Sequence, residues 1–310
     1  MWAVRGQTLA GDALCQMLAA VATPFLARGG RWARACFGFA ASCAVVTVLW
    51  HLVASDPPAA RPAPANPGSG STSGVEWAIL RLPQVWAFIC VWVCQCAIGQ
   101  VAITSLAPTI FIERFGLTSL EAGKYIAAGF AVNVPGMFLT GLVDSTLIAR
   151  GVSRLAIRRG MTLAATLGTS ASHVGYVLAQ TPAQATAMML TFSLAHQCSS
   201  SSYFANVYEL GGPDSAALTA FGAPLLSSPF SPCSLVASLT RPPTAANSSG
   251  QLFSVFLPPA AFFLRRRFGS WVPVFMLSAA AIAASGALYR ATMTLTPARE
   301  LLRLRKQAGR

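Results

Sequence analysis

The chain has 310 residues, of which 54% are hydrophobic and only 10% charged, with a formal net charge of +13. Soluble domains carry about 25% charged residues, so this chain lacks the charge to cover a water-facing surface, and a soluble fold is excluded. Its basic residues flank uncharged runs and form no continuous stripe, which excludes nucleic acid and makes the lipid bilayer the expected partner.

A helix needs about 20 apolar residues to cross a bilayer. The run 13–27, between Asp12 and Arg28, is short for a span, whereas 35–55 is long enough. No convincing signal-peptide cleavage site accompanies the first run. Residues 56–81 open with a Pro/Ala/Gly/Ser-rich stretch that reads as a flexible linker. The run 82–112 has 31 uncharged residues. As a straight helix it would exceed the bilayer core, so it should bend, with Gly99 and Pro108 as the weak points. Residues 125–143 form the next span, closed by Asp144. A short loop follows with Arg150, Arg154, Arg158 and Arg159.

The run 160–208 carries no formal charge and holds two spans, broken at the polar, proline-containing segment 180–184. An apolar segment begins at Ser215 and dissolves into the Pro/Ser-rich stretch 225–249. Apolar character returns at 252–264, too short alone to span. Residues 268–289 form the last span, and 294–310 a basic tail. The fold class expected is all-α, a polytopic membrane bundle of about eight transmembrane helices, since no alternating strand pattern of a membrane barrel is present.

Several stretches resemble one family. Leu82-Pro-Gln-Val-Trp-Ala and Ser105-Leu-Ala-Pro-Thr-Ile-Phe-Ile-Glu-Arg-Phe-Gly-Leu resemble the seventh helix of the major facilitator superfamily, in its organic-anion/phosphate branch. That branch includes sialin, the vesicular glutamate transporters and the plastid phosphate transporters. The stretch 141–160 resembles its loop between helices eight and nine. Phe204-Ala-Asn-Val-Tyr-Glu-Leu-Gly-Gly-Pro-Asp is similar to the end of helix ten, and Gly269-Ser-Trp-Val-Pro-Val-Phe to the entry of helix twelve. Residues 37–57 are similar to helix six. The motifs are individually weak and gain weight from their order.

Such transporters are built from two six-helix halves with substrate held between them. The resemblance implies that 1–55 are the last two helices of a first half and 56–81 the central linker. Residues 82–293 are then the C-terminal bundle, interrupted by an insert at 225–249, and 294–310 the tail. It implies an N-terminally incomplete member. The function implied is secondary active transport of a small solute, an organic or inorganic anion, by alternating access, with a proton or sodium as coupling ion. The membrane is the plasma, vesicular, vacuolar or plastid envelope membrane. The alternative is a non-transporting membrane scaffold or partner subunit. An enzyme is not expected, because there is no nucleophile–base pair, HExxH or pair of intramembrane aspartates. No cofactor or metal site is expected either: the eight cysteines mostly lie inside apolar runs and read as packing residues.

Polar residues inside spans are costly in lipid and so are candidates for function. Gln95, Gln100 and Thr104 fall on the seventh helix, the last two sharing a face. Asn133 lies beside Pro135. His196, Gln197, Asn206 and Glu209 lie on the tenth helix, where Glu209 and His196 are the candidate proton carriers. The competing reading for each is hydrogen bonding between helices, and His173 reads as packing. No Lys or Arg occurs within 82–112, 125–143 or 160–208. The place matching the arginine of the glutamate-carrying members is near the uncharged Cys96, which disfavours glutamate. For Asp144 with Arg150, Arg154, Arg158 and Arg159, the resemblance implies a charge network that locks the cytoplasmic face. The competing reading is that the arginines only set topology. The implied topology puts 14 of the 22 basic residues on the inward side, and no glycan is expected at Asn247.

Overall fold

The computed structural model of the protein describes residues 17–27, 29, 31–53, 77–211 and 248–308. The stretch 56–76 and most of the Pro/Ser-rich stretch lie outside these, as does the start of the first apolar run. All regular structure among the described residues is helical. Helix α1 is Met17–Leu26 and α2 is Trp32–Val53. A single helical turn, Trp77–Arg81, leads into α3, Pro83–Phe115. Then come α4, Ser119–Ala149; α5, Arg154–Leu178; α6, Pro182–Gly211; α7, Ser248–Phe268; α8, Val272–Thr292; and α9, Ala298–Ala308.

Four of these, α2, α3, α4 and α8, are long and apolar enough to cross a membrane. Helices α5 and α6, with 25 and 30 residues, exceed the length of a span but carry many hydroxyls. Their polarity follows from position. The most extensive pairings in the bundle are α5 with α6 and α5 with α8, and Thr162, Thr166, Thr169 and Ser172 of α5 and Ser193 and Ser199 of α6 are buried against protein. Between membrane helices such residues close the gap that bulky apolar ones would hold open. At Gly168 a methyl group would lie only 2.8 Å from Cβ of Ala195, so that crossing of α5 and α6 needs glycine. Helix α2 is the opposite case. Trp32, Phe37, Val46, Leu52 and Val53 are all exposed, an apolar surface suited to lipid.

Helix α3 is not straight. Its backbone widens into a π-helical stretch at Val93–Gln100, which includes Gly99. The helix then stops at Thr104 and restarts at Ala107. Pro108 explains the stop, because its ring clashes with the carbonyl four residues back, that of Thr104. In α4 the regular helix pauses between Gly129 and Asn133. Pro135 lacks the N–H that would bond to Ala131, which lies in that pause. The apolar segment 252–264 is extended at both ends into the 21-residue α7, which reaches membrane length.

Two apolar clusters hold the bundle. One joins α3, α4, α5, α6 and α8 around Phe111, Tyr176, Met189 and Phe275. The other gathers Leu82, Val85 and Phe88 of the α3 end with Tyr289 and Met293 of the α8 end and Leu302 of α9. Helix α9 thus buries Ala298 and Leu302 and leaves Arg303 and Arg305 exposed.

Candidate functional site: a buried ion triad and a polar cavity

The connection between α4 and α5 is four residues long. Gly151 adopts a left-handed backbone (φ 79°) that ends the first helix. The Ser153 hydroxyl accepts from the Ala156 N–H at 3.3 Å and starts the second. The two helices are therefore antiparallel neighbours. Asp144 lies five residues before the end of α4, and Arg158 four residues after the start of α5. At about 1.5 Å per residue both sit roughly 6–8 Å from the helix ends, at one depth.

There they pair. Arg158 Nη1 donates to both Asp144 oxygens, at 3.1 and 2.9 Å. Both side chains are buried, 4% and 6% exposed. Glu209, two residues before the end of α6, brings a second carboxylate, with its Oε2 3.7 Å from Arg158 Nε and its side chain 26% exposed. One turn back on α6, the Asn206 amide donates to the Tyr289 hydroxyl of α8, and both residues are buried. Four helices are thus tied by polar contacts at the arginine-rich end of the bundle.

The other loop arginines go elsewhere. Arg159 donates through Nε (3.1 Å) and Nη2 to the carbonyl of Met293, just past the end of α8. A cation there satisfies an orphan carbonyl and complements the helix dipole. Arg150 and Arg154 are exposed, and neither joins an ion pair among the described residues.

The remaining sequence candidates fall in separate places. Gln100 and Thr104 line a cavity of about 1020 Å³ bounded by α1, α3 and α4, together with Thr23, Thr109, Trp32 and Phe130. None of the described residues lining it is charged. Gln95, five residues earlier, points instead into the bundle. It is 1% exposed, and neither its amide oxygen nor its nitrogen has a partner among the described residues. Asn133 accepts from Gln197 Nε2 at 3.4 Å, linking α4 to α6. The His196 ring stacks on Phe192, with centroids 5.6 Å apart. His173 is buried, with Nδ1 2.8 Å from the Thr169 carbonyl oxygen. At the opposite end of the bundle, Glu113 of α3 accepts from Trp271 Nε1 at 3.0 Å and lies 3.7 Å from Arg265.

Two contributors were not singled out from sequence, Tyr289 and the Met293 carbonyl. A signal for Tyr289 exists: a tyrosine closing a span must find a partner for its hydroxyl if buried.

The family model of the Major Facilitator Superfamily matches residues 8–228. The chain belongs to that superfamily, whose members carry small molecules across lipid bilayers, and it is an integral, multi-pass membrane protein. No curated protein matches it.

Proposed function

We propose that this chain is a secondary active transporter of a small solute, working by alternating access, with the Asp144–Arg158–Glu209 triad as its cytoplasmic latch. The observation that carries the reading is the Asp144–Arg158 pair, buried at a helix connection and shared with a third helix through Glu209. A charge pair that only fixed topology would need no burial. The latch is graded: Arg158 donates directly to both Asp144 oxygens, whereas the outer Glu209 contact is 3.7 Å long and leaves Glu209 Oε2 and Arg158 Nε buried without a hydrogen bond among the described residues. The outer contact has no hydrogen bond to lose among the described residues, so it is the one that opens first, as a gate requires.

The cavity at Gln100 and Thr104 supports a solute path along α3, where the π-helical stretch and the break at Pro108 provide places to flex. An anion as substrate rests on the resemblance to the organic-anion/phosphate branch. A proton or sodium is the coupling ion in this reading. The chain reconstituted in proteoliposomes, with a proton or sodium gradient, should take up phosphate or a small organic anion. Asp144→Asn should abolish net uptake while the protein still inserts. Absence of uptake for every anion and for neutral polar solutes would overturn the transporter reading in favour of a membrane scaffold.

A further inference from the structure

Helices α5 and α8 come into close contact where Gly286 faces Thr166, and any side chain on Gly286 would collide with the threonine. On the arginine-rich side of that crossing a cavity of about 580 Å³ opens between the two helices. It is lined by Ala156, Arg159 and Leu163 of α5 and Ala287, Arg290 and Ala291 of α8. The cavity belongs to the outer wall of the bundle: Gly160, Ala164 and Leu167 of α5, and Ala284 and Leu288 of α8, are exposed beside it. Among the described residues lining it there are two guanidinium groups and no carboxylate.

The two arginines differ. Arg159 is held by its bonds to the Met293 carbonyl, which use Nε and Nη2. Its Nη1 has no partner among the described residues. Arg290 is exposed, in the last turn of α8. Arg159 lies five residues after the start of α5 and Arg290 two residues before the end of α8, the depth of the headgroup region. Below them the lining is alanine and leucine only.

We propose that this cavity is a binding site for an anionic phospholipid, with the phosphate held between Arg159 and Arg290 and an acyl chain lying along Leu163 and Ala287. Arginine forks match phosphate oxygens in pairs. The fixed Arg159 offers a preorganised half of the site, and the exposed Arg290 closes over it. Basic pockets between membrane helices on the cytoplasmic side are suited to such headgroups. The apolar floor is what separates a lipid from a free phosphate, which would gain nothing from Leu163 or the alanines. Occupancy would brace α5 against α8 next to the Arg158 triad without touching the solute cavity, so the site stands independently of any transport reading.

The test uses the full chain in detergent, titrated with dioleoyl phosphatidylglycerol and followed by native mass spectrometry. Dioleoyl phosphatidylcholine serves as the zwitterionic control. Glycerol 3-phosphate and inorganic phosphate serve as soluble competitors. Phosphatidylglycerol should bind in preference to phosphatidylcholine. Arg290→Gln should weaken it about fivefold, and Arg159→Gln with Arg290→Gln about thirtyfold. Ala287→Trp, which fills the groove and keeps both charges, should also remove the lipid. A hundredfold excess of either soluble phosphate should not displace it. Wild-type affinity in Arg290→Gln would overturn the proposal. So would displacement by soluble phosphate, which marks a free-anion site. Full binding by Ala287→Trp would move the lipid to the open surface and overturn the cavity as its site.

Discussion

Arg158 reaches Asp144 through one nitrogen, Nη1, which lies within 3.1 Å of both carboxylate oxygens, while its Nε lies 3.7 Å from Glu209. The guanidinium is thus shared between two acids of unequal exposure, 6% for Asp144 and 26% for Glu209. The two contacts should therefore differ in strength.

Asp144→Asn should destabilise the protein by about 3–5 kcal/mol, because it leaves a buried guanidinium without the counter-charge it is hydrogen-bonded to. Glu209→Gln should cost less, because the contact it removes is 3.7 Å long and carries no hydrogen bond among the described residues. Thermal unfolding of the two purified variants, followed by tryptophan fluorescence, compares them directly. Equal losses would contradict the graded arrangement.

Tyr289→Phe removes the acceptor for the buried Asn206 amide and should cost about 1–3 kcal/mol. Replacing both residues by apolar ones should cost less than the sum of the single changes, since no polar group is then left unpaired. A double-mutant cycle on unfolding midpoints reads this coupling.

How much of this was readable from the residues depends on the range of the interaction. The bends of α3 follow from Gly99 and Pro108, whose effects act within one turn of their own helix. The tight α4–α5 connection is likewise local, written in Gly151 and Ser153. Which arginine faces Asp144 is less local. Arg154 and Arg158 are four apart and share a helix face, so only the depth set by loop length and capping selects between them. The Asn206–Tyr289 bond joins residues 83 apart in sequence, and no pattern near either residue names the other. The solute cavity is harder still. It is bounded partly by α1, and nothing in the periodicity of α3 says which helix lies across from Gln100.

Gly168→Val should weaken the assembly of α5 on α6 by about 1–3 kcal/mol, because the added methyls overlap Ala195 and rigid helices cannot part locally. Ala195→Gly combined with Gly168→Ala should recover most of the loss. Resistance of the folded state to SDS titration measures both.

Trp271→Phe removes the indole N–H that donates to Glu113 and should cost about 1.5–3 kcal/mol, the range for a bond to a charged acceptor. Glu113→Gln keeps an acceptor for the indole and weakens only the part-exposed contact with Arg265, so its effect should be smaller. The order of the two midpoints checks the assignment. A larger loss in Glu113→Gln would show that the ion pair dominates.

The cluster that seats α9 joins Leu82 to Leu302, about 220 residues later in the chain. At about 5–20 residues per second of synthesis, Leu82, Val85 and Phe88 wait roughly 10–45 s for the partner that covers them. During that interval the entry to α3 has an apolar surface that is only partly covered. Helix α9 is therefore the late-made element that closes over the entry to α3, and loss of α9 should be felt as a defect in biogenesis before it is felt as a defect in the finished protein.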